Sequence, residues 1–431
     1  MNNFVDAMLN RINKISDVKC SKDIKPLLQA TFPGNHCPLM GALMAAHKIK
    51  DAVFITVGTD ECTYYTRELA EINLFSDMQE RCFSIVLDDM DITFGSLKKV
   101  RKNLENIVAD YNPACIILAT TCLIELIGDD YDSFVEEFEK SIKIPVLLVH
   151  TEHFSCTDHL TGIERTISAV VKLMEPLPKK KLANIIGMDL YYKQNSILDS
   201  LLKNIGYEVG VQILGHNTVE NIKLAAAASL NIVTNALGLP LAVMMQKKFK
   251  QPYVYFPFQA DPDKVLENYK EFFSIVNRDL PEKLLVEYKK SKALEALVKE
   301  KLAGVTYIYA NSPFACMEVN AYLVKLGMIP LLVQTNYFGN SDLKYTADIA
   351  NRANPYVCRS ANLPPMQSVY KKLKPNFYLG RDFSRILERN GIIVVDSNKW
   401  TNTFGFETVR SFLNSLLEAK MRVPDMGGNA V

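Results

Sequence analysis

Short, nearly unbroken apolar runs alternate along this chain with segments whose apolar residues recur every three or four positions. Residues 52–57 and 114–119 are apolar almost throughout, the pattern of strands buried on both faces of a parallel sheet. Residues 82–87 and 144–150 are expected to pair with them, and the helical period predicts helices over 38–48, 63–73, 96–111 and 131–142. After Pro178 the plan repeats, with strands at 182–187, 208–214 and 230–234 and a helix over 195–205 closed by Gly206. A long helical stretch follows over 259–302, with a break expected at Pro281. A third set has strands at 305–310, 329–333, 377–379 and 392–395, and a helix over 314–326 ended by Gly327. Strand and helix in alternation predict an α/β fold built on parallel sheets.

The units suggest domains over 1–176, 177–300 and 301–401, with the C-terminal segment 402–431 expected to pack its helix back on the first. A chain of 431 residues exceeds one ordinary core. Charge adds little: 49 basic against 48 acidic residues gives no field that would select nucleic acid or a lipid surface. The uncharged stretch 224–246 is interrupted by Ser229, Asn231, Asn235 and Pro240, so it reads as buried elements, not a membrane span. The N-terminus has no basic segment leading into an apolar core, so no secretory signal is expected and the cytoplasm is the expected location. In that compartment nine cysteines are free thiols or metal ligands sooner than disulfides.

Three of those cysteines occupy particular places. Cys37 precedes Pro38 at a helix start, and Cys62 and Cys122 each follow the carboxyl end of a predicted strand. Ligands of open α/β sheets bind outside those ends. A helix N-terminus also favours negative charge, so thiolates are expected there. Cysteine is equally a common core residue; Cys20, Cys82, Cys115 and Cys316 read that way and Cys358 stays open. For Cys37, Cys62 and Cys122 a shared metal site and three core thiols are both open on this evidence. The polar cluster from His150 to His159 adds His153 and Cys156 as candidate ligands. No Cys-x-x-Cys occurs, which argues against a zinc finger or a simple ferredoxin. A P-loop, Gly-x-Gly-x-x-Gly and Gly-x-Ser-x-Gly are also missing, so ATP hydrolysis, ordinary dinucleotide binding and an esterase elbow find no support.

The segments Cys37-Pro38-Leu39-Met40-Gly41-Ala42, Gly58-Thr59-Asp60-Glu61-Cys62 and Thr120-Thr121-Cys122-Leu123-Ile124-Glu125-Leu126-Ile127-Gly128-Asp129-Asp130 resemble nitrogenase component 1 subunits. Thr151-Glu152-His153-Phe154, the strand at Asn184–Gly187 and Phe404-Gly405-Phe406-Glu407 extend the resemblance over most of the chain. It implies three Rossmann-like domains and an iron–sulfur cluster, four-iron or of the eight-iron P-cluster type, shared at a subunit interface, to which Cys37, Cys62 and Cys122 contribute one half. It also implies a homologous partner subunit, in a homodimer or heterotetramer, and a separate ATP-hydrolysing iron protein as electron donor, in keeping with the missing P-loop. The cysteine spacing is closer to the β-type subunit. Departures matter as well: Leu230–Ala236 and Ser397–Thr401 carry no cysteine or histidine where the α-type holds its iron–molybdenum cofactor. Two functions are therefore expected: an electron-transfer subunit of a nitrogenase-like reductase, or a non-catalytic scaffold for cofactor assembly or a metal-free binding protein on the same fold. The resemblance assigns no catalytic residue.

Overall fold

The computed structural model describes residues 2–27, 37–71, 77–154, 159–187, 197–310, 315–359, 363–380, 384–395, 400 and 403–422. Helix α1 (Asn2–Leu9) and the short strand β1 (Asn13–Lys14) come first. The first sheet follows, with β2 (Ala52–Gly58), β3 (Cys82–Val86), β4 (Cys115–Thr120) and β5 (Val146–His150) in the order β3-β2-β4-β5. All its pairings are parallel. Its helices are α2 (Pro38–Ala46), α3 (Asp60–Glu71), α4 (Asp89–Phe94), α5 (Leu97–Tyr111), α6 (Cys122–Ile127), α7 (Tyr131–Ile142) and α8 (Leu160–Ala169).

The second sheet holds β6 (Lys180–Ile186), β7 (Glu208–Ile213), β8 (Ala228–Val233) and β9 (Tyr253–Tyr255), ordered β7-β6-β8-β9 and again parallel. Helices α9 (Ile197–Asn204), α10 (Val219–Leu224) and α11 (Leu239–Phe249) belong to it. Next come α12 (Pro262–Ile275) and α13 (Glu282–Leu302), broken at Pro281 as the sequence predicts. The third sheet contains β10 (Thr306–Ala310), β11 (Ile329–Gln334), β12 (Tyr356–Cys358), β13 (Phe377–Gly380) and β14 (Ile393–Val395), with helices α14 (Cys316–Lys325), α15 (Leu343–Ala350), α16 (Leu363–Leu373) and α17 (Ser384–Arg389). Its order is β1-β12-β11-β10-β13-β14, parallel except that β1 lies antiparallel on the edge. Helix α18 (Phe406–Met421) closes the described chain.

Two compact units result: Asn35–Pro257, carrying the first two sheets, and Met1–Gly34 with Phe258–Val431, carrying the third. In the first unit every residue of β2 and β4 is buried. Alternate residues Val53, Ile55, Val57, Ile116 and Leu118 meet Val100, Leu104 and Ile107 of α5 and Phe134, Val135 and Phe138 of α7. The helical residues stand four and three apart, so one apolar stripe of each helix covers one sheet face. In the other unit α18 buries Val409, Phe412, Leu413 and Leu416 and packs on α13 and β14. The sequence pattern suggests this helix packs on the first α/β unit; the contacts it makes on α13 and β14 lie in the unit that carries the third sheet.

Several elements were not legible. Helix α4 buries no residue and is held by a capping box in which Asp88 accepts from the Met90 and Asp91 amides, so it has no apolar period to read. Strands β9 and β12 are three residues each, too short to show alternation.

Candidate metal centre

Each candidate cysteine sits at the start of a helix. Cys37 is the extended residue before α2, with Pro38 in the first turn. Helix α3 begins at Asp60, earlier than predicted, so Cys62 lies inside its first turn. Cys122 opens α6, after Thr121 in extended geometry. The motif that follows has structural work. Gly128 takes the left-handed conformation (φ 74°) that ends α6. Asp129 accepts from the Ser96 amide (2.7 Å) and hydroxyl (2.5 Å), and Asp130 caps α7 by accepting from the Ser133 amide (3.0 Å).

Close approaches of backbone fix the ground around the cysteines. A Cβ on Gly41 would lie 1.7 Å from the His159 carbonyl oxygen, and one on Gly162 would lie 1.8 Å from the Pro38 carbonyl oxygen. Helices α2 and α8 therefore meet backbone to backbone. A Cβ on Gly58, at the end of β2, would lie 2.0 Å from the Thr121 hydroxyl oxygen. The loop carrying Cys62 thus rests on the residue just before Cys122.

The sulfurs share one electrostatic neighbourhood. Burial pushes the Cys37 thiol above its ordinary value; the Met40 and Leu39 amides pull it back, and Cys62 and Cys122 push it up again. Burial likewise raises Cys62; the hydroxyls of Thr59 and Thr121 oppose this, and Cys122 adds to it. The thiolates expected from the helix starts are thus not favoured at Cys37 and Cys62 in the metal-free chain, because desolvation outweighs the amides. Among the described residues only Asp261, Asp263 and Glu295 bring three such ligand atoms within 4.8 Å of one another; Cys37, Cys62 and Cys122 do not form such a group. A soft three-sulfur set in one neighbourhood suits an iron–sulfur group.

The remaining candidates separate cleanly. His153 is exposed, and the contact shown is through its backbone: its N–H donates to Cys122 Sγ at 3.1 Å. Cys156 lies outside the described residues. Cys115, Cys316 and Cys358 are buried, and burial pushes Cys316 and Cys358 up to about 12, as expected of inert core thiols.

Beyond these candidates, Arg165 carries no signal in the sequence pattern. Arg165 of α8 donates to the His150 carbonyl (2.6 Å) and forks onto Glu152 (2.6 and 2.8 Å). His150 Nδ1 meets Glu125 at 2.6 Å, and the Thr120 hydroxyl donates to the same carboxylate at 2.8 Å. Arg165, Glu152, His150 and Glu125 line a cleft of about 800 Å³ that also reaches Asp132, Glu136 and Glu164. Nothing in the local pattern marks Arg165, because its partners arrive from another strand.

Three α/β sheets, with three cysteines converging beyond the strand ends of the first, define the class. The chain belongs to the nitrogenase component 1 type oxidoreductases, whose family model matches residues 37–421. It is 26% identical over 363 residues to the nitrogenase iron-molybdenum cofactor biosynthesis protein NifE of Clostridium pasteurianum, covering 80% of this chain and 79% of that one. To the nitrogenase molybdenum-iron protein beta chain of Azotobacter vinelandii it is 23% identical over 402 residues, 83% and 74% of the two chains. Among solved structures, nitrogenase Cp1 at pH 6.5 superposes with a TM-score of 0.69 at 17% identity, over 94% of this chain and 97% of that one. Among the described residues no helix is long and apolar enough to cross a membrane.

Proposed function

We propose that the chain is an iron–sulfur-cluster-carrying subunit of a nitrogenase-like reductase. Its role is to pass electrons from an ATP-dependent iron protein toward a substrate or a second metal centre. The observation that supports this most is the shared neighbourhood of Cys37, Cys62 and Cys122: the Cys62 loop is seated on Thr121, the residue before Cys122, and the three sulfurs feel one another's charge. These residues would hold the cluster, four-iron or eight-iron, which supplies one-electron storage when bound. The chain's own part is to desolvate the sulfurs, fix their spacing through the Gly41–α8 and Gly58–Thr121 contacts, and donate one amide to Cys122.

Three cysteines leave the set incomplete, which favours a homologous subunit supplying the rest in a homodimer or heterotetramer. Exposed apolar side chains follow the carboxyl ends of neighbouring strands: Phe94 (76% exposed), Leu126 (71%) and Phe154 (62%). Such apolar groups at the sheet edge that carries the cysteines suit a protein partner. The work is assigned to the cytoplasm.

A second reading is an assembly scaffold holding a cofactor precursor. NifE among the relatives favours it, as does the stretch Leu230–Ala236, which offers buried Asn231, Thr234 and Asn235 but no cysteine or histidine. Purification without oxygen, followed by iron and sulfide analysis and electron paramagnetic resonance, tests both. Iron and sulfide with donor-dependent turnover supports the first reading. Bound metal without turnover, with a competent donor present, supports the second. Colourless, iron-free protein removes the cluster from both.

A further inference from the structure

We propose that Arg165 is a positioning residue for the cluster: by gripping Glu152 and the His150 carbonyl it holds the His153 amide on the Cys122 sulfur and so raises the reduction potential of the bound group. This rests on the reading that Cys37, Cys62 and Cys122 hold iron.

Strand β5 ends at His150, and the chain must then turn so that an N–H faces Cys122. Thr151 is fixed by two bonds to the Thr120 carbonyl, from its amide (2.9 Å) and its hydroxyl (2.7 Å). Those bonds leave the next peptide able to pivot. Arg165 removes that freedom with three donor contacts, one to the His150 carbonyl and two to Glu152, the residue before His153. A guanidinium fork on a carboxylate fixes direction as well as distance, and Glu152 is 9% exposed, so water competes little for it.

The base of the clamp is itself closely packed. Arg165 lies one turn along α8 from Gly162, whose Cα rests on the Pro38 carbonyl next to Cys37. One helix therefore sets the start of α2 behind Cys37 and the hydrogen bond to Cys122. An N–H donated to a cluster sulfur stabilises the more negative, reduced state, and hydrogen bonds to the sulfurs are among the determinants of potential. Loosening the clamp should lower it.

Removing Arg165 alone would leave the Glu152 charge unbalanced, so the decisive variant is the charge-neutral pair Glu152→Gln with Arg165→Met. The control is Lys172→Met. Lys172 donates to the Val146 carbonyl (3.0 Å) at the other end of β5 and pairs with Glu139. Protein purified without oxygen is analysed for iron, titrated for its midpoint potential by electron paramagnetic resonance, and followed by amide hydrogen exchange at His153. The double variant should retain iron, exchange the His153 amide about tenfold faster, and shift its reduction equilibrium about tenfold, about 59 mV lower for one electron. Arg165→Lys, which keeps a cation but loses the fork, should give an intermediate shift, and Lys172→Met none. A wild-type potential in the iron-bearing double variant overturns the tuning role. Amide exchange can also be read on iron-free chain: an unchanged His153 rate there overturns the clamp. Iron-free wild type overturns the cluster reading itself.

Discussion

At Gly41 the space for a side chain is already taken by the His159 carbonyl, and at Gly162 by the Pro38 carbonyl. Gly41→Ala is expected to force α2 and α8 apart, costing about 1–3 kcal/mol as overpacking, read as a lower urea midpoint, with loss of bound iron. The same substitution in a rigid core without a metal site would lower the midpoint alone. Cys122→Ala separates ligand from core thiol: iron should fall sharply while the thermal midpoint of iron-free protein changes little. Unchanged iron with mild destabilisation would mean a packing role. The cysteine positions were legible because strand ends and a helix-starting proline can be read locally. Arg165, Glu125 and the glycine contacts were not, since each depends on a partner distant in sequence.

Helices α12, α13 and α14 are tied by charge. Lys325 reaches Asp261 (3.0 Å) and Asp263 (3.1 Å), Lys292 reaches Asp263 (3.1 Å) and also pairs with Glu295, and the Tyr288 hydroxyl donates to Asp263 (2.8 Å). The carboxylates approach as metal ligands would, but two ammonium groups already bridge them and offset most of their charge. Burial alone would raise Asp263; the hydroxyl and the two lysines outweigh it and hold the carboxyl at about 2, below its ordinary 3.8. A depressed carboxyl stabilises the fold above its unfolded value and loses that contribution as pH falls. The thermal midpoint should therefore drop between about pH 4 and pH 2. Asp263→Asn should lower the midpoint at pH 6 and narrow its gap from wild type as the solution is acidified through that window. A gap of constant size at pH 6 and pH 3 would contradict the assignment. No periodicity announces this network: its members lie on three helices, and only their packing makes them neighbours.

For the whole molecule, the partner reading gives a direct expectation. Leu126→Glu lies on an exposed face, where substitutions away from special features stay within about 0.5 kcal/mol, so the monomer should keep its thermal midpoint. Light scattering should nevertheless show a smaller particle than wild type when the homologous subunit, or a second copy, is present. Equal masses would place the partner elsewhere. By itself the sequence determined the alternation of strands and helices, the buried parallel strands, Cys37 at a helix start and Cys62 and Cys122 just past strand ends, because apolar period, proline and glycine act over a few residues. It also carried the family motifs. Tertiary structure alone decided that α18 packs on α13 and β14, that desolvation overrides the helix starts at Cys37 and Cys62, and that α8 meets α2 backbone to backbone beside Cys37. Those outcomes depend on which surfaces exclude water together, and that is a property of packed elements rather than of any one segment.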